Sequence, residues 1–177
     1  MVPSPPRDET PGFHHVWCRG NNKRRIVVDD HDRLSLLAQI DIAAELFGWQ
    51  VLAYCVMDNH YHLVIGIDER GMADGFCRIN TFHATQFNRR HGRVNHLFGK
   101  RYGNKLLDDE PSLLEACRYV VLNPVRAAMV ERPEEFRWSS YRGTVDAADP
   151  NVRLAADVIL ARERFADFVM SANPVQT

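Results

Sequence analysis

Two histidines lie two residues apart at the start of an apolar, β-branched run: His60 and His62, within residues 57–65 (MDNHYHLVI). Side chains of a β-strand alternate between its faces, so a strand here would point both imidazoles to one side. Two imidazoles on one face of a strand can share a divalent metal ion. A single histidine is more often packed or solvated than metal-bound, so this interpretation requires at least one further ligand.

The segment 118–124 (RYVVLNP) offers a hydroxyl group and a third ligand at helical spacing. Asn123 follows Tyr119 by four residues, and side chains at that separation share one face of a helix. An amide oxygen beside two imidazoles, with water filling the remaining positions, suits Mg²⁺ or Mn²⁺ better than a closed zinc site. Asn123 can also serve to end the helix before Pro124, a role that is compatible with metal ligation.

Tyr119 is the tyrosine, among five in the chain, that the sequence places on a helix with a candidate ligand one turn away. A phenol is a weak nucleophile at its ordinary pKa of about 10. A neighbouring cation favours the phenolate and polarises a phosphate oxygen, which makes Tyr119 a candidate nucleophile. Its neighbours Cys117 and Val120 also suit a residue of the hydrophobic core, and by residue chemistry alone that alternative is favoured.

The charges are unevenly distributed although the net charge is only −1. Residues 76–105 contain seven lysines and arginines and no acidic residue, and a second basic cluster spans residues 19–25. A near-neutral total can therefore conceal a basic face suited to nucleic acid. The alternative is an ordinary solvated surface.

Length, hydropathy and cysteine usage favour a single cytoplasmic domain. The chain has 177 residues, and no apolar run approaches the roughly 18 residues that span a bilayer. Residues 1–12 are polar and proline-rich, without the apolar centre of a signal peptide. The four cysteines are spaced too widely for a zinc knuckle or a redox pair, and we expect them to be reduced.

The hydrophobic patterns predict the element order β-α-β-β-α-β-α, followed by a helical tail. The predicted strands are 13–19, 50–57, 60–67 and 106–107. The predicted helices are a first one that runs to about residue 47, one over 72–90, one that opens at 109–112 and ends near Pro124, and a tail over 154–170. Asp30 or Asp32 is the predicted cap of the first helix, and Gly48 its end. This order predicts an α+β, ferredoxin-like antiparallel sheet with helices packed on one face. We expect a flexible lead over 1–12, a main domain over 13–145 and a helical tail over 146–177.

Six blocks along the chain resemble, in the same order, the single-tyrosine HUH transposases, and most closely the REP-associated tyrosine transposases of bacteria. The blocks are 16–22 (VWCRGNN), 57–63 (MDNHYHL), 87–92 (FNRRHG), 96–102 (HLFGKRY), 118–127 (RYVVLNPVRA) and 138–141 (WSSY). The resemblance extends over about three quarters of the chain, from residue 13 to 144. Two positions depart from it: His83 stands where many relatives have tyrosine, and Asp58 stands where proline is frequent.

The resemblance implies a specific chemistry. In this family the paired histidines and a residue one helical turn after the tyrosine bind a divalent metal, here His60, His62 and Asn123 with Mg²⁺ or Mn²⁺. The tyrosine, here Tyr119, attacks a phosphodiester of single-stranded DNA, which forms a 5′-phosphotyrosine and frees a 3′-hydroxyl. The implied substrate is single-stranded DNA that carries an imperfect hairpin with a short guide sequence beside it.

The same resemblance assigns DNA contacts to the two basic clusters. The residues implied are Arg19, Asn21, Lys23, Arg24, Arg89, Arg90, Lys100 and Arg101. Two other functions remain open: a domesticated protein that binds hairpin DNA without cutting it, and a metal hydrolase in which water is the nucleophile and Tyr119 only positions the substrate. The family that the chain resembles includes both monomers and homodimers, so the resemblance leaves the oligomeric state open.

Overall fold

The computed structural model describes residues 10–68, 71–146, 151–155 and 162–171. Four strands form one sheet in the order β2-β3-β1-β4, and every neighbouring pair is antiparallel. The strands are β1 (Gly12–Arg19), β2 (Gln50–Val56), β3 (His60–Ile67) and β4 (Gly103–Leu107). β3 lies between β1 and β2, which are joined through a helix, so the predicted ferredoxin-like arrangement is confirmed.

The helices cover both faces of the sheet, whereas the sequence predicted one face. They are α1 (Asp30–Phe47), α2 (Met72–Arg90), α3 (Glu110–Val121), α4 (Asn123–Arg126), α5 (Tyr141–Asp146) and α6 (Arg162–Met170). The Tyr61 hydroxyl donates to Asn80 of α2, while the adjacent His62 ring meets Tyr119 of α3. Successive strand residues point to opposite faces, so α2 and α3 lie on opposite sides. Nearly every residue of β2 and β3 is buried, and burial on both faces requires this double cover.

The N-cap of the first helix lies one residue before the nearer of the two predicted caps. Asp29 accepts a hydrogen bond from the backbone N–H of Asp32 at 3.0 Å and is the N-cap, so the assignment of Asp30 or Asp32 was wrong. Asp32 instead directs its carboxylate toward the side chains of Arg90 and His91. Gly48 ends the helix in the left-handed conformation, as predicted.

The chain that leads into the candidate site bends at a proline. Asp109 caps α3 by accepting from the N–H of Ser112 at 2.8 Å, and α3 ends at Val121. Pro124 cannot donate the next helical hydrogen bond, so α4 starts anew at Asn123. Leu122 between them keeps a helical φ and ψ of −88° and −2°, so Asn123 still lies one turn beyond Tyr119.

The fourth strand starts three residues earlier than predicted. Gly103, Asn104 and Lys105 pair with Trp17, Val16 and His15 of β1. A Cβ atom at Gly103 would lie 2.5 Å from the indole ring of Trp17, so glycine is required for the close approach. This pairing brings Lys105 next to β1 and close to the candidate site.

Segments from the C-terminal part of the chain cover the exposed edge of β2. The backbone N–H of Tyr54 donates to Ser140 Oγ at 3.0 Å, and the N–H of Ser140 returns a bond to the carbonyl of Tyr54. Further along the same edge, the N–H of Ala155 donates to the carbonyl of Val51 at 2.8 Å. The edge groups of β2 are therefore satisfied within the chain, which protects the sheet from pairing with other molecules.

The predicted helical tail is only partly helical in the described residues. Leu154 bridges to Val51 as extended chain, the residues 156–161 lie outside the described ranges, and α6 begins at Arg162. Within α6, the Phe168 ring lies 4.3 Å below the guanidinium of Arg118, which ties α6 to α3. The division into lead, main domain and tail stays a prediction. Among the described residues, no helix is long and apolar enough to cross a membrane.

Candidate active site

An open cleft of about 650 Å³ lies between the sheet and the helices α3 and α4. Its walls come from three strands, from the β2–β3 turn and from both helices. We call it the histidine cleft; it is lined by His15, Trp17, Arg19, Met57, His60, His62, Lys105, Tyr119, Asn123, Arg126 and Ala127. All four residues that the sequence suggested for metal binding and nucleophilic attack therefore line one cavity.

Hydrogen bonds orient the ring of His60 and the amide of Asn123 toward one another. His60 Nδ1 lies 2.6 Å from Asn59 Oδ1, and because a carbonyl oxygen only accepts, Nδ1 carries the proton and Nε2 keeps its lone pair. Asn123 Nδ2 donates to the carbonyl of Tyr119 at 2.9 Å, and the same side chain is within hydrogen-bonding reach of His60. His60 therefore keeps a lone pair on Nε2, and the Asn123 side chain lies next to the same ring, an arrangement suited to a bound cation.

His62 is held between a second imidazole and the tyrosine ring. Its Nδ1 lies 2.9 Å from Nε2 of His15, and the two rings stack with centroids 5.1 Å apart. The His60 and His62 rings are 5.0 Å apart and nearly perpendicular. The Tyr119 ring meets His62 edge-on at 5.6 Å. The His-x-His pair therefore projects into the cleft from one strand face, as the alternation predicted.

Tyr119 lies at the wall of the cleft and not in the core. The residue is 39% exposed, so the core alternative suggested by its neighbours does not describe its position. The guanidinium of Arg126 lies 4.9 Å over the Tyr119 ring. A cation stacked on the ring restrains the tyrosine and adds positive charge to the cleft.

Burial keeps the imidazoles of the cleft uncharged. It lowers the pKa of His60 to about 4, with a further contribution from the charge of Arg19. It lowers the pKa of His62 to about 3, assisted by the neighbouring His15 and His60. It also lowers the pKa of His15 to about 4, together with the charge of Lys105. Neutral imidazoles carry the lone pair that metal ligation requires, so the donor set fits a divalent metal.

The sequence interpretation gave no place in the metal and nucleophile site to His15, Lys105 or Arg126, although Lys105 ends the basic stretch 76–105. Arg126 lies at helical spacing from Tyr119 and Asn123, and that spacing was a usable signal. His15 and Lys105 face each other across the β1–β4 pairing. Only the strand order reveals that pairing, so no local pattern could have assigned them to the cleft.

The residues expected to contact DNA fall into separate places. Arg19 lines the histidine cleft, whereas Asn21, Lys100 and Arg101 line a second cavity of about 600 Å³. We call it the α2 cavity, because it lies between α2 and the loop 96–102, with the side chains of Phe98 and Tyr102 in its wall. Lys23, Arg24 and Arg89 are solvent-exposed and line neither cavity.

Arg90 is bound within the fold. Its guanidinium pairs with Asp29 at 2.8 Å and with the buried Asp32, which also meets His91 Nε2 at 2.9 Å. Among the described residues, one group of three His, Cys, Asp or Glu side chains has ligand atoms close enough together to hold a metal ion. This group is Asp29, Asp32 and His91. Because the guanidinium of Arg90 already pairs with both carboxylates, this group is an ion-pair network.

The two positions that depart from the family pattern serve the fold. Asp58 forms an ion pair with Arg33, and its backbone carbonyl accepts from the N–H of Ile26 at 2.8 Å. It therefore acts in the β2–β3 turn, in agreement with the turn role expected from the sequence. His83 is buried and its Nε2–H donates to the carbonyl of Ile26 at 2.8 Å, on α2 and away from the histidine cleft.

Comparisons with known proteins show the family of the chain and relatives that share its fold. A family model described as Transposase IS200 like matches residues 11–123, more than half of the chain. A curated Haemophilus influenzae protein, provisionally named a REP-associated tyrosine transposase, is 22% identical over 135 residues, which cover 64% of this chain and 76% of that protein. The solved structure of a REP-associated tyrosine transposase bound to a REP hairpin shares the fold, with a TM-score of 0.68 at 14% identity over 88% of this chain and 96% of the other. The family match includes all four strands and the cleft residues from His15 to Asn123, and the chain belongs to the family of IS200-like transposases.

Proposed function

We propose that the protein cleaves single-stranded DNA and transfers the strand through a covalent 5′-phosphotyrosine on Tyr119, in a metal-dependent reaction at hairpin sequences. The observation that supports this most directly is the convergence of Tyr119, His60, His62 and Asn123 on one cleft. Membership of a transposase family supplies the reaction class. The protein would act as a DNA transposase and single-strand endonuclease.

His60, His62 and Asn123 would hold the divalent metal, for which Mg²⁺ or Mn²⁺ fits the two imidazoles and one amide oxygen. The metal would polarise a phosphate oxygen and favour the phenolate form of the nearby tyrosine. The lowered pKa values of His60 and His62, about 4 and 3, keep both ligands deprotonated at neutral pH. The metal would therefore not have to displace protons from these rings.

The reaction follows from the groups that the cleft brings together. The Tyr119 oxygen loses its proton to solvent and attacks the phosphorus, so an oxygen–phosphorus bond forms on the tyrosine. The bond from phosphorus to the 3′-oxygen breaks, and that oxygen takes up a proton as a free 3′-hydroxyl. A 3′-hydroxyl that later attacks the same phosphorus releases Tyr119 and joins the strands. Arg126 and Arg19 lie in the cleft wall, where they would hold the phosphate.

A hairpin substrate is inferred from the similar structure, which holds a REP hairpin. In this chain, the α2 cavity combines the cations Lys100 and Arg101 with the aromatic residues Phe98 and Tyr102. Cationic and aromatic side chains together are typical of surfaces that bind unpaired nucleic acid. We therefore assign the α2 cavity, along with the cluster 19–25, to DNA binding. A homodimer and a cytoplasmic location stay predictions.

The test is to incubate the protein with hairpin-bearing single-stranded DNA from beside its own gene, with Mn²⁺ or with a chelator, and to measure the intact mass. We expect a Mn²⁺-dependent protein–DNA adduct that Tyr119→Phe abolishes. Tyr141→Phe is the matched control, because it removes a phenol from α5, outside the cleft, and should leave the adduct.

Either of two outcomes would contradict this proposal and favour a different function. Cleavage that persists in Tyr119→Phe would make water the nucleophile, and the protein a metal hydrolase. Tight binding without an adduct or a cut would indicate a domesticated hairpin-binding protein.

A further inference from the structure

One imidazole of the histidine cleft has no role in the proposed reaction. His15 lies on β1, and its Nε2 is 2.9 Å from Nδ1 of His62, 47 residues away in the chain. The His15 ring also meets the Tyr119 ring, with centroids 5.6 Å apart. His15 therefore contacts one proposed metal ligand and the proposed nucleophile at the same time.

A contact between two neutral imidazoles specifies which nitrogen carries each proton. If His62 donates from Nδ1, its Nε2 keeps the lone pair that a metal needs, and His15 accepts through its own Nε2. If His15 donates instead, His62 carries its proton on Nε2 and that nitrogen cannot bind a metal. Histidines that bind metals almost always donate their other N–H to an acceptor, which sets both tautomer and ring orientation.

Neighbouring elements hold His15 in place for this contact. The Trp17 ring, on the same strand face, lies 5.3 Å from the His15 ring. The partner of His15 on β4 is Lys105, whose ammonium cannot accept a hydrogen bond. Among the residues described around the cleft, the His15 Nε2 therefore has its hydrogen-bonding partner in His62.

We infer that His15 is a positioning residue: its Nε2 accepts a hydrogen bond from the Nδ1–H of His62 and so leaves the Nε2 lone pair of His62 for the metal. This inference rests on the proposed function, since it assumes that His62 is a ligand. Removal of His15 should weaken metal binding by about 10- to 100-fold, the effect typical of such partners.

The experiment compares the parent protein with His15→Leu, His15→Gln and His31→Gln. Long-range ¹H–¹⁵N correlation spectra of the metal-free proteins report the tautomer of His62, and calorimetric titration with Mn²⁺ reports the affinity. Leucine fills the site without an acceptor, whereas glutamine offers an amide oxygen near the place of Nε2. His31 is exposed on α1, so His31→Gln controls for the loss of an imidazole.

We expect His62 to be protonated on Nδ1 in the parent, to lose that single tautomer in His15→Leu, and to regain it with at least part of the Mn²⁺ affinity in His15→Gln. Protonation on Nε2 in the metal-free parent would overturn the role of His15 whatever the metal does. Equal Mn²⁺ affinity in parent and His15→Leu, or equal loss in His15→Leu and His15→Gln, would also overturn it. A parent with the expected tautomer that binds no Mn²⁺ would instead overturn the proposed metal function.

Discussion

The salt dependence of DNA binding should distinguish cationic side chains that contact phosphate from cationic side chains that already form ion pairs within the fold. Five cations line the two cavities: Arg19, Lys105 and Arg126 in the histidine cleft, and Lys100 and Arg101 in the α2 cavity. Each neutralised phosphate of a single strand contributes about −0.7 to the slope of log K against log salt, so five contacts predict a slope of about −3.5. At that slope, a fourfold rise in salt weakens binding by about 130-fold.

Two arginine variants make this prediction specific. Arg101→Gln removes one phosphate contact, so the slope should become less steep, at about −2.8. The fourfold rise in salt should then weaken DNA binding by only about 50-fold. Arg90→Gln should leave the slope unchanged, because the guanidinium of Arg90 is held by Asp29 and Asp32. It should instead lower the free energy of unfolding, since the buried Asp32 would lose an ion-pair partner.

The assay is fluorescence anisotropy with a labelled single strand at several salt concentrations, without divalent metal, so that cleavage does not interfere. Urea unfolding of the same variants reports stability. A flat salt response in the parent would refute the assignment of these cations to DNA. A slope that changes as much in Arg90→Gln as in Arg101→Gln would refute the division between phosphate-binding and ion-paired arginines.

Two further predictions concern stability. Burial places the folded-state pKa values of His15, His60 and His62 at about 4, 4 and 3, below the 6.5 of the unfolded chain. The unfolded state therefore binds more protons than the folded state below pH 6.5. In urea titrations of the metal-free protein, the free energy of unfolding should be lower at about pH 5 than at about pH 7. A constant or higher value at pH 5 would contradict these pKa shifts. Ser140→Ala removes the buried acceptor of the Tyr54 N–H. It should cost about 1–3 kcal/mol of unfolding free energy, and a midpoint equal to the parent's would show that the edge contact is dispensable.

Local patterns predicted the elements that carry the site. The bounds 60–67 for β3 and 72–90 for α2 agree with the structure, because each follows from side-chain periodicity and from turn or glycine residues at its ends. The shared face of His60 and His62 and the one-turn spacing of Tyr119 and Asn123 are consequences of the same short-range geometry. The family resemblance rested on the same blocks and is confirmed by the family match. The metal-ligand, nucleophile and DNA-contact roles remain predictions.

Other features depended on which distant segments meet. The sequence did not reveal that His15 lies against His62, or that Arg90 pairs with Asp32 across 58 residues of chain. It also predicted helices on one face, whereas α3 packs on the opposite side of the sheet from α2. Periodicity specifies how a side chain is directed relative to its own backbone, but not which surface it then meets. The sequence by itself therefore determined the candidate catalytic groups. The tertiary structure decided which neighbouring side chains contact them, and which cationic side chains are held in ion pairs.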